Sequence, residues 1–101
     1  MFFICIEPAI AADFGSKDIA CAMDAAAAAQ NMLTMGMHLD FYSTWAGLWP
    51  NANLIEPFSK LLKCPEGIIP AAMLIFGKPA DDWAHPTNEK YHPEKVHYES
   101  W

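Results

Sequence analysis

The residues best suited to metal chemistry lie near the C-terminal end of the chain. His85, His92 and His97 occur there, with Glu94 and Glu99 close by in the sequence. Imidazole and carboxylate groups bind divalent metal ions, but a helical zinc site pairs two histidines four residues apart. No two of these histidines have that spacing, and no pair of cysteines accompanies them. We therefore expect ordinary surface histidines and no metal site.

No side chain has a sequence context typical of covalent catalysis. Ser43 and Ser59 lie outside any G-x-S-x-G motif, and no cysteine lies near a histidine in the sequence. Asp81 and Asp82 are expected to be solvated, and other aspartates to lie at helix ends. We therefore name no catalytic side chain, and an enzyme of this sequence would rely on a cofactor for its chemistry.

Composition and motifs exclude several classes of ligand. The chain of 101 residues has 12 acidic and 6 basic residues, a net charge of −6, and no arginine. Binding to nucleic acid requires a basic face, so no nucleic-acid partner is expected. Neither a G-x-G-x-x-G motif nor a Walker A motif occurs, which excludes Rossmann-type and P-loop nucleotide sites.

The apolar segments and the cysteines indicate a cytoplasmic protein. The apolar start, residues 1–6, is too short for a signal peptide. No run approaches the ~20 apolar residues of a membrane span, so no membrane partner is expected. Cys5, Cys21 and Cys64 are odd in number and match no metal or redox spacing, which predicts reduced thiols.

Hydrophobic patterning predicts a single domain in which helices flank two or three apolar strands, an α+β or α/β layer fold. The predicted strands are residues 2–6, 41–47 and 71–77, and the predicted helices are residues 17–39 and 54–62. The first strand should be buried on both faces. Ser16 should cap the long helix, and Pro57 should lie in the first turn of the second helix. Asp40 follows the long helix where a left-handed C-cap is expected.

The smallest residues are concentrated in two neighbouring segments. Five alanines, residues 25–29, give the long helix almost no side-chain bulk there, so it can pack closely against several neighbours. The following strand contains Thr44, Trp45, Ala46 and Gly47. Its small residues allow the backbone to approach a flat group.

Both ends of the chain indicate contacts beyond one small domain. An apolar strand at residue 2 suggests that further sequence once preceded Met1. The hydrophobic content of 53% suggests a subunit interface or a missing part of the chain. An extended arm is predicted after Pro79. Val96, Tyr98 and Trp101 alternate in it, which allows the arm to dock as a strand on a partner subunit or on its own core.

Four segments, in the same order, resemble the nitroreductase family of FMN-dependent oxidoreductases. Residues 30–33, QNML, are similar to a helix signature of that family. Residues 43–47, STWAG, with 49–51, WPN, are similar to its small-x-Trp-x-Gly segment and aromatic-Pro turn. A third similar segment is a Pro-turn with an apolar strand ending in Gly-x-Pro, at residues 65–70 and 75–79. The fourth, residues 90–101, is similar to the closing Arg-Tyr-x-x-x-Lys-Val-His-Tyr…Trp of the family, with lysine in place of the arginine.

The resemblance implies a nitroreductase-like α+β fold with FMN bound in a homodimer. It implies NAD(P)H-dependent reduction of a small-molecule acceptor, nitroaromatic or quinone-type, by ping-pong hydride transfer. The backbone of Thr44, Trp45, Ala46 and Gly47 would lie along the flavin. Lys90, at the place of a basic residue of the family, would contact the FMN phosphate as a point charge rather than a bidentate fork.

The sequence also departs from the family pattern. The early helices of that family carry an Arg-Ser-x-Arg motif for the flavin phosphate and ribityl chain, and no such motif occurs here. The chain instead matches the later, C-terminal part of a subunit and is expected to lack the N-terminal helices. The alternative hypothesis is therefore a truncated, non-catalytic remnant that acts only in packing or dimerisation.

Overall fold

One antiparallel sheet of three strands, in the order β1-β3-β2, organises the chain. The computed structural model describes residues 1–11, 15–83 and 91–99. The elements, in chain order, are β1 (Phe2–Ile6), α1 (Lys17–His38), β2 (Tyr42–Gly47), α2 (Ala52–Leu62) and β3 (Ile69–Gly77), with single 3-10 turns at Pro8–Ile10 and Pro93–Lys95. The predicted α+β fold is confirmed, and every predicted helix and strand is present.

The two helices cover opposite faces of the sheet. Phe2 and Phe3 are neighbours on β1, so their side chains point to opposite faces. The Phe2 ring packs against Phe76, whose ring lies against Gly36 of α1. The Phe3 ring packs against Phe58 of α2, with 5.6 Å between ring centroids. The result is a three-layer arrangement with the sheet between α1 and α2.

The buried core lies between α1 and the middle of the sheet. Its central side chain, Leu74 of β3, is fully buried, and Ala29 of α1 is also at 0% exposure. The remaining buried apolar residues are Ile6, Ala25, Leu48, Ala71 and Ala72. Four of these seven residues are alanines, which lets the helix backbone lie close to the sheet, as the alanine run predicted.

The first strand does not have the predicted burial. In β1 only Ile6 is buried, while Phe2 and Cys5 are exposed. The prediction was wrong because, among the described residues, β1 lies at an edge of the sheet with β3 as its one neighbouring strand. The strand that is largely buried is β3, the central one.

The last strand begins two residues earlier than predicted, at Ile69, and so includes Pro70. A proline cannot donate a hydrogen bond to a ladder and is found at irregular positions of sheets. Pro70 lies opposite Cys5, where the register between β1 and β3 shifts between Ile4 and Cys5. The irregular pairing at this β-bulge accommodates a residue without a backbone N–H in an otherwise regular strand.

The helix ends differ from the sequence prediction in two places. The Ser16 side chain makes no capping hydrogen bond, although its backbone carbonyl accepts from Ala20 N–H at 3.1 Å. Asn51 caps α2 through Oδ1, which accepts from Asn53 N–H at 3.1 Å. Because this cap starts α2 at Ala52, Pro57 lies in the helix interior rather than in the first turn. Asp40 has the expected left-handed backbone, with φ 59°.

The C-terminal arm does not add a strand in the part of it that the structure describes. Trp83 packs against Tyr42 of β2, with 4.6 Å between ring centroids. Val96 and Tyr98 are exposed and belong to no strand, so they do not dock as a strand on the core of this chain. Docking on a partner subunit stays a prediction. Trp101 lies outside the described residues.

Candidate functional site

The outer edge of β2, on the side away from β3, is the feature that organises the candidate site. Leu48 N–H donates to Ala71 O at 2.9 Å, in register with the β2–β3 ladder. Opposed residues in an antiparallel ladder alternate between hydrogen-bonded and non-bonded pairs. Thr44 and Ala46 are therefore bonded to β3, whereas the backbone N–H and C=O groups of Trp45 and Gly47 face away from it.

Trp45 and Gly47 also border a groove between β2 and α1. The groove has a volume of about 300 Å³. Its walls are mainly small or apolar residues: Ile19, Ala22, Met23, Ala25 and Ala26 of α1, with Trp49, Ala71 and Ala72. A Cβ placed on Gly47 would meet no atom within 4 Å, so the strand is open on this side. The space can take a flat ring.

These features define what the site can do chemically. The indole of Trp45 is 41% exposed and offers an aromatic surface for stacking. Outward backbone groups of Trp45 and Gly47 can donate and accept hydrogen bonds. None of the described residues that line the groove has a charged side chain. The arrangement suits a planar heterocycle that is held by shape and backbone hydrogen bonds.

The structure separates the four strand residues that the sequence singled out. Trp45 and Gly47 line the α1 side, whereas Thr44 and Ala46 alternate to the other face of the sheet. Thr44 lies there near Ile75 and Trp83. Lys90, the predicted phosphate contact, lies outside the described residues. The binding roles of all five residues stay predictions.

One structural observation bears on the prediction that the chain has no metal site. Within residues 1–11, 15–83 and 91–99, no three His, Cys, Asp or Glu side chains are grouped as metal ligands would be. His92 Nδ1 instead lies 2.9 Å from Glu94 Oε1 on the exposed arm. In the same ranges, no helix is both long and apolar enough to cross a membrane.

A second apolar concavity was missed by the sequence analysis. It lies at the C-terminal end of α1, has a volume of about 530 Å³, and is lined by Phe2, Asn31, Met32, Met35, Gly36, Leu39, Phe41 and Phe76. Met32, Met35 and Leu39 have the i, i+3, i+7 spacing of a helical apolar face. That spacing was the available signal, but an apolar helix face is normally assigned to the core. Here Met35 and Leu39 remain more than half exposed.

Comparison with known proteins gives three useful relatives, whereas no family model matches the chain. Over 78 residues the sequence is 30% identical to a protein of Methanothermobacter thermautotrophicus with the provisional name NADH dehydrogenase/NAD(P)H nitroreductase. The match covers 77% of this chain and 40% of that protein. A crystal structure from Bacteroides thetaiotaomicron with the same provisional name has a TM-score of 0.81 and 26% identity, covering 98% of this chain and 54% of its own.

A third similarity supports the fold alone. The crystal structure of a protein provisionally named NADH oxidase, from Clostridium acetobutylicum, has a TM-score of 0.71 at 16% identity, over 99% of this chain and 75% of its own. The chain thus spans about half the length of the Methanothermobacter and Bacteroides proteins that it matches. The matched sequence and the shared fold agree with the four motifs found above. The chain has a nitroreductase-like α+β fold, and its sequence is similar to proteins that carry the name NADH dehydrogenase/NAD(P)H nitroreductase.

Proposed function

We propose that this chain forms part of the FMN site of an NAD(P)H-dependent oxidoreductase that reduces nitroaromatic or quinone-type acceptors. The observation that carries the proposal is the open edge of β2, where Trp45 and Gly47 turn their backbone groups outward beside a groove of small residues. FMN, when bound, supplies the chemistry, which is hydride uptake from NAD(P)H and delivery to the acceptor in alternating half-reactions.

The residues of this chain would bind and orient rather than react. Trp45 and Gly47 would hold the ring through backbone hydrogen bonds, and the apolar wall of α1 would keep water from one side of it. Lys90 would hold the phosphate as a point charge. Because the proposal assigns proton transfer to no side chain of this chain, activity should depend on ring position more than on any titrating residue.

Binding of FMN by the purified chain tests the proposal directly. Titration with FMN should give saturable quenching of flavin fluorescence. Riboflavin, which lacks the phosphate, serves as the matched ligand. A Lys90→Gln variant should weaken FMN binding and leave riboflavin binding unchanged. If neither ligand binds at any concentration tested, the proposal fails for this chain.

A second function, packing or dimerisation without catalysis, is supported by the apolar concavity at the end of α1. The concavity is continuous with exposed Met35, Leu39 and Phe41. Apolar patches of this kind mark protein interfaces. We propose that a second copy of the chain covers it. Sedimentation should show a dimer that Met35→Lys dissociates, whereas the same change at the remote, exposed Leu61 should leave it intact. A dimer that binds no flavin would favour this second function alone.

A further inference from the structure

The last two turns of α1 contain a run of sulfur and nitrogen donors. Residues 32–38 read MLTMGMH, so Met32, Met35 and His38 follow one another at intervals of three residues. All three lie within α1, whose last residue is His38. Side chains three residues apart on a helix are neighbours, with about 5–6 Å between their Cβ atoms. The helix therefore places Met35 between the thioether of Met32 and the imidazole of His38.

The two thioethers also face the same space. Met32 and Met35 both line the concavity of about 530 Å³ at this end of α1. Met35 is 56% exposed and His38 is exposed, whereas Met32 is half-buried. A methionine side chain has three rotatable bonds and adapts to irregular positions. The two sulfurs can therefore converge on one small ion at the mouth of the concavity, with the imidazole about one helical turn further along.

These donors select a soft, monovalent metal ion. Thioether sulfur is a soft ligand that favours copper(I), and imidazole also binds copper. The set differs from the His, Cys, Asp and Glu side chains, of which no three are grouped as metal ligands within residues 1–11, 15–83 and 91–99. Charge favours a cation as well. The C-terminal end of α1 carries a partial negative charge, Asp40 follows it, and the net charge of the chain is −6.

We propose that Met32, Met35 and His38 form a binding site for copper(I), with Met35 as the central ligand. Each thioether would donate a sulfur lone pair and His38 a lone pair of a ring nitrogen, and the oxidation state of the copper would not change. The site is separate from the flavin groove, since none of the described residues that line the groove belongs to it. Copper(I) binding is therefore independent of FMN binding.

Anaerobic titration of the whole chain with copper(I), followed by NMR of isotope-labelled methionine methyl groups, tests the proposal. The titration continues past the equivalents that the three free cysteines can take up. The protein is kept dilute enough to be a monomer, because Met35 also lies on the surface proposed for a second copy. The methyl signals of Met32 and Met35 and the ring signals of His38 should shift together and saturate. Met37, which is 50% exposed but points to the opposite side of α1 from Met35, should shift little.

Two matched variants give a second reading. Loss of a group that only orients a metal ligand costs about 10–100-fold in affinity, so loss of a ligand should cost at least about tenfold. The copper(I) concentration that half-shifts the Met32 methyl signal should rise by that factor in Met35→Leu and stay unchanged in Met37→Leu. Leucine keeps the volume and apolar character of methionine, so both variants should fold. No shift at Met32 and Met35, equal shifts at every exposed methionine, or an unchanged midpoint in Met35→Leu would each overturn the proposal.

Discussion

Gly36 of α1 and Phe76 of β3 leave no room for a methyl group between them. A Cβ at position 36 would lie 2.5 Å from Phe76 Cε1 and 2.8 Å from Phe76 Cδ1. Carbon atoms do not approach so closely without displacement. The Phe76 ring is also held edge-on by Phe2, with 5.7 Å between centroids. The close packing of α1 on this end of the sheet therefore depends on a residue without a side chain.

Gly36→Ala is expected to lower the free energy of unfolding by about 1 kcal/mol. Alanine gains about 1 kcal/mol in helix propensity, but the overpacked contact costs about 1–3 kcal/mol. Urea unfolding would measure the difference. In a Phe76→Leu background the clash is relieved, so the same change should be neutral or stabilising. Equal effects in both backgrounds would show that the ring contact does not limit the packing.

Asp40→Gly is expected to stabilise the chain by about 0.5–1 kcal/mol. Asp40 has φ 59°, a backbone conformation that costs a non-glycine residue about 1–2 kcal/mol. This turn allows Phe41 N–H to donate to Gly36 O at 2.9 Å, which ends α1. Asp40→Ala is the control, because it removes the carboxylate and keeps the strain. The melting temperature should rise in Asp40→Gly and not in Asp40→Ala. A rise in both variants would show that loss of the carboxylate charge, rather than relief of backbone strain, stabilises the chain.

The sequence predicted most of the fold because the apolar runs and the helical periodicity are local signals. It failed where neighbours decide the outcome. The run Phe2–Ile6 is as apolar as a central strand, yet pairing places it at an edge with Phe2 exposed. Likewise, Pro57 was predicted to lie in the first turn of α2, but the cap at Asn51 starts the helix earlier and places Pro57 in its interior. The order of the strands and the position of the helix cap depend on how separate segments meet, so the pattern of one segment cannot predict them.

The candidate site was predicted in part for the same reason. Small residues around Trp45 indicated a close approach to something flat, and the structure adds an open groove beside Gly47. The sequence could not separate Trp45 and Gly47 from Thr44 and Ala46. That division comes from the ladder with β3, which decides which backbone groups face outward.

Alkylation of Cys5 is expected to need a higher pH than alkylation of an ordinary thiol. Partial burial raises the pKa of Cys5 first, and the charge and hydrogen bond of Cys64 raise it further, although Cys5 as a residue is exposed. The thiolate is the reactive form, so the rate should rise with pH up to that raised pKa. In Cys64→Ala the midpoint should move down but stay above the ordinary value, because the burial remains. Peptide-resolved iodoacetamide labelling over a pH series measures the pH midpoint of Cys5 alkylation, and Cys21→Ala is the control. An unchanged midpoint in Cys64→Ala would show that Cys64 does not raise the pKa of Cys5.

Gly47→Leu is expected to weaken FMN binding by about tenfold or more, a loss of about 1.4 kcal/mol, without unfolding the chain. The added side chain would enter the groove beside Trp45 and hold a flat ring away from the edge of β2. Because a Cβ at Gly47 meets no atom within 4 Å, the melting temperature should stay nearly constant. Gly77→Leu is the matched control, since position 77 is equally open but lies opposite Tyr42, at the far end of the β2–β3 ladder. Fluorescence titration of the two variants compares them directly. Equal FMN affinity in Gly47→Leu and Gly77→Leu would show that the edge of β2 at Trp45 and Gly47 does not bind the flavin, even if the wild-type chain binds FMN elsewhere.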